Sequence, residues 1–284
     1  MSRNLTISCE FFPPKTDKGI SNMRRVRENL QPLAPEFYSV TFGAGGSTQD
    51  NTMEAVIEIQ QSQPQTGIDA APHLSCVGSN AERLREMLAT YKDNNIRRIV
   101  ALRGDLPSGM RDPGDFRYAN ELVSFIRAET GDYFNIEVAA YPEVHPQAQT
   151  AEFDLDNFKR KVDAGADSAI TQYFYNIDAY RFFLDRCEKK GIDIPVIPGI
   201  MPINNFAQLA RFSASCGAEI PRWLRKRLEE FYDDTESMKA FTLDFLTEFT
   251  QQLIELDVPG LHFYTMNKTE PTLTICQRLN LVES

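Results

Sequence analysis

The sequence predicts an α/β fold, a (β/α)8 TIM-type barrel with extra helices before the last strand. Three observations carry this. Eight short apolar, β-rich runs alternate with amphipathic charged runs, as parallel strands and their covering helices do. The residues closing the first seven runs are Glu10, Thr41, His73, Arg103, Ala139, Gln172 and Gly199. They stand 31, 32, 30, 36, 33 and 27 residues apart, about one strand–helix unit each. No Pro-, Gly- or Ser-rich linker divides the chain, so residues 1–284 read as a single domain. A doubly wound open sheet is the alternative. Its GxGxxG fingerprint is missing, because Gly43-Ala-Gly-Gly-Ser-Thr48 fails at the last glycine.

In chain order the strands are expected at Leu5–Phe12, Glu36–Phe42, Asp69–Cys76, Arg98–Leu102, Ile136–Tyr141, Ser168–Gln172, Pro195–Ile200 and His262–Thr265. Helical periodicity falls near 20–31, 51–61, 81–93, 117–129, 154–164, 178–189, 205–214 and 236–256. Asn80 is placed to cap the third helix, with Glu82 in its first turn. Asp178 stands before Ala179–Lys190, which Gly191 ends. In 236–256, Phe241, Phe245, Phe249 and Leu253 recur at four-residue steps and predict one apolar face. The last gap, from Gly199 to Tyr264, is 65 residues, so the seventh crossover needs extra helices, with Pro221–Leu228 a candidate.

Composition narrows the function. Lys and Arg number 30 against 40 Asp and Glu, a net charge of −10, which disfavours a nucleic-acid partner. No apolar run approaches the ~18 residues of a membrane span, and the amino terminus lacks a secretion signal, so the expected location is cytoplasmic. Five cysteines without CxxC spacing predict buried free thiols. Three histidines without a metal-binding pattern predict no metal site.

Barrel active sites form at the carboxyl ends of the strands. The first strand delivers Glu10 there, flanked by Phe11 and Phe12. A carboxylate in so apolar a run should have a raised pKa, as a general acid requires; a structural ion pair is the alternative. Glycines after Thr41 let backbone approach a ligand, or simply turn the chain. His73 closes the third strand, where a satisfied core histidine is the competing possibility. Arg103 and Asp105 straddle Gly104, offering a cation and a carboxylate to one cavity. Tyr141 and His145 follow the fifth strand. Asp154, Asn157 and Lys161 then share a helical face, which could also be a surface ion-pair face. Gln172 brings an amide donor and acceptor to the sixth strand end.

These residues carry a resemblance. Cys9-Glu-Phe-Phe-Pro-Pro14, Ser39-Val-Thr-Phe-Gly-Ala44, Ala71-Pro-His-Leu-Ser-Cys76, Ala101-Leu-Arg-Gly-Asp-Leu-Pro107, Ala139-Ala-Tyr-Pro-Glu-Val-His-Pro146, Lys159-Arg-Lys-Val-Asp-Ala-Gly-Ala166, Ile170-Thr-Gln172, Pro198-Gly-Ile-Met-Pro202 and His262-Phe-Tyr-Thr-Met-Asn267 resemble bacterial methylenetetrahydrofolate reductase, in order, from about residue 7 to 280. The resemblance implies a catalytic barrel without the regulatory domain of eukaryotic relatives. It implies FAD across the strand ends and reduction of 5,10-methylenetetrahydrofolate by NADH, with NADPH the alternative donor. Its cofactor contacts would be Thr41, Phe42, Ala44, His73, Arg103, Gly104, Asp105, Tyr118, Ala119, Tyr141, His145, Ala148, Asp154, Asn157, Arg160 and Lys161. Arg103 and Lys161 would meet diphosphate or ribose oxygens. Substrate contacts would be Asp105, Gln172, Gln208, Phe212 and Lys268, the last standing where relatives often have an arginine. Glu10 would protonate N10 of the folate, and Asp105 would stabilise the iminium cation that results. One pocket serving two substrates in turn implies ping-pong kinetics. The product would serve methionine synthesis, and the assembly would be a homo-oligomer such as a tetramer. Another barrel flavoenzyme and a catalytically inactive barrel are the competing readings.

Overall fold

The computed structural model describes residues 5–42, 46–105, 114–231 and 234–282. Eight positions around a parallel barrel are filled by nine strand segments: β1 Thr6–Phe11, β2 Phe37–Val40, β3 Asp69–Ser75, β4 Arg98–Leu102, β5 Asn135–Ala140, β6 Ser168–Thr171, β7 Val196–Ile197, β8 Gly199–Ile200 and β9 Gly260–Tyr264. Neighbours pair in the order β7-β6-β5-β4-β3-β2-β1-β9-β8. The pairing of β1 with β9, Ser8 opposite His262 and Glu10 opposite Tyr264, removes the open sheet as an alternative.

The seventh strand departs from the expected single run. Pro198 has no N–H for the ladder and splits it. β7 pairs with β6 and β8 pairs with β9, so the split segment closes the ring. Only glycine fits at the closure. A Cβ on Gly199 would lie 2.4 Å from the Thr171 carbonyl oxygen and 2.6 Å from the Tyr264 ring.

The strands alternate as buried two-sided strands must. Ile7, Cys9 and Phe11 join the apolar shell beneath the helices, whereas Ser8 and Glu10 point into the barrel. Inside the ring, Phe37, Ala71, Val100 and Ile170 form a separate small cluster. Below it, at the amino ends of the strands, Arg98 bonds Glu137 and Glu36, and the Ser168 hydroxyl donates to Glu137.

The helices are α1 Asp17–Leu30, α2 Gly46–Thr66, α3 Ala81–Asp93, α4 Ala119–Thr130, α5 Ala151–Asp163, α6 Ile177–Lys189, α7 Phe206–Cys216, α8 Arg222–Glu230, α9 Thr235–Glu255 and α10 Thr272–Arg278. Thr16, Asn80, Thr150, Asn205 and Asp234 accept N–H bonds as caps of α1, α3, α5, α7 and α9, each worth about 1 kcal/mol. α6 is capped by Asn176, which accepts the Asp178 N–H at 3.0 Å, and not by Asp178 itself. Among the described residues the long crossover holds α7, α8 and α9. On α9 the buried stripe runs through Thr242, Leu246, Phe249 and Leu253. Phe241 and Phe245 sit beside it, half-buried against Phe231 and Trp223 of the α8 region. The helix after β9, α10, carries too short a pattern for the sequence to signal. Among the described residues no helix is long and apolar enough to cross a membrane.

Candidate active site

A cavity of about 780 Å³ opens at the carboxyl ends of the strands. Of the residues expected in the site, it is lined by Glu10, Thr41, Phe42, His73, Gly104, Asp105, Tyr141, Gln172 and Phe212. Its floor is the interior cluster, through Val100, Leu102 and Ile170. An apolar floor under convergent polar groups is the usual build of a small-molecule site.

Glu10 stands between two imidazoles. Its Oε2 lies 3.2 Å from His73 Nε2 and 3.7 Å from His262 Nε2. Both nitrogens are buried and neither has an aligned hydrogen-bond partner. His262 is fully buried, and its Nδ1 lies 2.8 Å from the Ser8 hydroxyl. The expectation of a raised Glu10 pKa is overturned here. Burial pushes the carboxyl up, but the charge of His73 and the close approach of both imidazoles outweigh it and hold the group at about 2. The apolar flank read from the sequence is real; the two imidazoles come from distant strands and reverse its effect.

At the end of β4, Gly104 adopts φ +85°, the left-handed region. A Cβ there would lie 2.0 Å from the Ser75 hydroxyl oxygen. That hydroxyl donates to the Arg103 carbonyl at 2.8 Å, and the Val77 N–H bonds the same carbonyl. The turn brings Asp105 to the cavity wall, where it is exposed. The Arg103 guanidinium folds back to the Gly104 carbonyl at 3.1 Å.

A second group lies beside the cavity. Tyr141 and His145 pack edge to face, with centroids 4.6 Å apart. Asp154 accepts the His145 backbone N–H at 2.9 Å, tying the loop to the first turn of α5, and the Ala148 N–H bonds the His145 carbonyl. Lys161 reaches back to the Ala139 carbonyl. Burial lowers the Lys161 ammonium to about 8, against the pull of Asp154. Burial also lowers His145, with Asp154 and Asp105 opposing the shift and Arg103 and Lys161 adding to it. Two cations, Arg103 and Lys161, thus stand near one partly buried point, with Asp154 and Asp105 beside them. This donor set fits the diphosphate of a dinucleotide, and the adjoining apolar-floored cavity fits a flat ring system.

Other expected residues stand outside the cavity lining. Tyr118 and Ala119 open α4, with Tyr118 exposed. Asn157 accepts from Arg160 at 2.5 Å, and Arg160 is exposed over Phe153. Gln208 lies one turn before Phe212 on α7, and Lys268 is exposed on the loop after β9. Ala44 lies outside the described residues. Ser75, Tyr173, Tyr264 and Cys216 line the cavity and were not expected. Ser75 and Tyr264 could have been found from period two, each standing two residues beyond an inward-facing histidine. Cys216 is half-buried, unlike the other four thiols, which are buried as expected. Among the described residues no cluster could hold a metal ion.

Comparison with known proteins agrees with this geometry. The family model "Methylenetetrahydrofolate reductase" matches residues 1–280. A 5,10-methylenetetrahydrofolate reductase of Escherichia coli (strain K12) is 41% identical over 277 residues, covering 98% of this chain and 91% of that one. A probable methylenetetrahydrofolate reductase (NADH) of Oryza sativa subsp. japonica is 39% identical, with 97% of this chain matching 48% of it. A solved structure of an uncharacterized Clostridium thermocellum protein that binds two copies of 5-methyl-5,6,7,8-tetrahydrofolic acid shares the fold, at TM-score 0.62 and 15% identity over 97% of this chain and 94% of that one.

Proposed function

The chain belongs to the methylenetetrahydrofolate reductase family, and we propose that its cavity binds FAD and takes NADH and 5,10-methylenetetrahydrofolate in alternation, yielding 5-methyltetrahydrofolate for methionine synthesis. The observation that carries the reading is Glu10, an ionisable carboxyl on the apolar-floored cavity wall with two imidazoles against one of its oxygens.

The methylene bridge between N5 and N10 of the folate resists hydride until it opens. A proton placed on N10 by Glu10 releases it, leaving an iminium cation at N5. Asp105, on the cavity wall after the Gly104 turn, would stabilise the positive charge that develops. Gln172 can donate and accept at once; here its side-chain oxygen takes the Tyr173 N–H at 3.0 Å, leaving its amide N–H groups for a ligand edge. Phe212 supplies an apolar platform on α7. Arg103 and Lys161 would bind the cofactor's diphosphate, with Tyr141 and His145 packed beside it. FAD, when bound, carries the hydride between the two substrates. NADH is the donor favoured by the name of the plant relative. Because Glu10 is ionised in the free protein, its proton must be supplied anew in each turnover.

The purified protein should release FAD on denaturation, identified by chromatography. Incubated anaerobically with NADH and 5,10-methylenetetrahydrofolate, it should form 5-methyltetrahydrofolate. FMN or no flavin, or no methylated product, would overturn the reading.

A further inference from the structure

The reaction consumes one proton per turnover, and the residue that touches substrate starts out without one. Behind Glu10 lies a buried pair that the chemistry above does not use. His262 sits on β9 directly opposite Ser8 on β1, and both point into the ring. His262 has no exposed surface and does not border the cavity. Its Nδ1 is 2.8 Å from the Ser8 hydroxyl, and its Nε2 faces Glu10 Oε2 at 3.7 Å with no other partner.

Its surroundings limit what it can do. On its own strand Tyr264 packs edge to face at 5.2 Å, but the Tyr264 hydroxyl donates to the Thr171 carbonyl at 2.7 Å. From β2, Phe37 stacks at 6.1 Å, with Arg98 on the same ring at the amino end of the barrel. Beside it Gly199 of β8 pairs with His262, and the carbonyl of Pro198, just before β8, accepts the His262 backbone N–H. His73 on β3 approaches Glu10 from the cavity side. Among the described residues, Glu10 is thus the carboxyl that faces Nε2 of His262 and can exchange a proton with it. With Glu10 ionised, a bare Nε2 lone pair would oppose the carboxylate. The favourable tautomer has Ser8 donating to Nδ1 and an N–H on Nε2.

We propose that His262, fixed by Ser8, is a positioning residue that stores the proton Glu10 delivers to the folate. This rests on the reading of Glu10 as the acid. In the loaded state the pair holds one proton, as imidazolium and carboxylate or as imidazole and carboxylic acid. The imidazolium passes its proton to Oε2 and Glu10 delivers that proton to N10, which leaves imidazole and carboxylate. The carbon–N10 bond breaks with its electron pair left on N10. The carbon, now an iminium with N5, accepts the hydride that NADH supplied. Product release then readmits water to Glu10, and one solvent proton restores the pair.

Anaerobic single-turnover stopped flow with a pH-indicator dye reads this order. In the wild type, hydride transfer to folate precedes proton uptake from solvent. In His262→Gln, uptake coincides with hydride transfer, which slows about 10²-fold and falls further as pH rises. Reduction by NADH stays within twofold in the same variant. Ser8→Ala, which removes one hydroxyl, gives the same signature in weaker form and decides the matter should His262→Gln fail to fold. If His262→Gln keeps the wild-type rate, order and pH profile while Glu10→Gln loses the folate step, the store is wrong and the acid stands. If Glu10→Gln also keeps the folate step, the reading of the acid itself fails.

Discussion

Two carboxylates lie inside the barrel on opposite sides of Phe37. At the amino end Glu137 is fully buried, bonded by Arg98 and Ser168, with Glu36 on the other branch of the guanidinium. At the carboxyl end Glu10 faces His73 and His262. Arg98 reaches the Phe37 ring at 4.5 Å, and His262 stacks on it at 6.1 Å. The partners separate the two roles. An arginine has no proton to give at any working pH, so the pair it makes with Glu137 serves the fold. An imidazole can give its proton up, so the charge on Glu10 can change within a reaction.

The comparison breaks first on stability. Glu137→Ala leaves Arg98 buried with one of its two carboxylates and should cost about 3–5 kcal/mol, read by urea denaturation. Glu10→Gln should cost far less. Equal losses would mean that both carboxylates are structural.

Next comes Asp105, the carboxylate at the cavity wall. Asp105→Asn should retain FAD, raise its midpoint potential and slow folate reduction about 10²-fold. An unchanged potential with unchanged folate turnover would remove Asp105 from the chemistry.

A pH dependence belongs to Lys161. Its ammonium loses its proton at about 8 in the folded protein, against an ordinary 10.5. Between those values the unfolded chain binds more protons, so stability should rise with pH across about 8 to 10.5. Thermal unfolding of the protein without cofactor should show that rise, and Lys161→Met should flatten it. Saturating FAD should flatten it as well if a phosphate meets the ammonium. A slope that ignores both changes would place Lys161 away from the anion.

Much of this site was legible in the sequence because barrel strands end at regular spacing. Glu10, His73, Asp105, Tyr141 and Gln172 all close or follow strands, and all line one cavity. What depended on distant pairing was not legible. Ser8 and His262 are 254 residues apart, and only closure of β9 onto β1 brings them together. The lowered Glu10 pKa likewise needs His73 from β3 and His262 from β9 at one carboxyl, which no local pattern shows. Pro198 could have signalled the split of the seventh strand, which was expected as a single run, but the register that uses both halves is a property of the closed ring. Gln208 and Lys268 carry no local pattern that fixes how far they stand from the cavity.

Separating the half-reactions of Glu10→Gln tests the central claim most directly. Protonation of N10 belongs to folate reduction and to no part of the reaction with NADH. Stopped-flow absorbance should therefore show flavin reduction by NADH within about tenfold of wild type, or about 1.4 kcal/mol. Reoxidation by 5,10-methylenetetrahydrofolate should be nearly abolished. An equal fall in both half-reactions would make Glu10 a structural residue like Glu137, and an unaffected folate step would mean that another group supplies the proton.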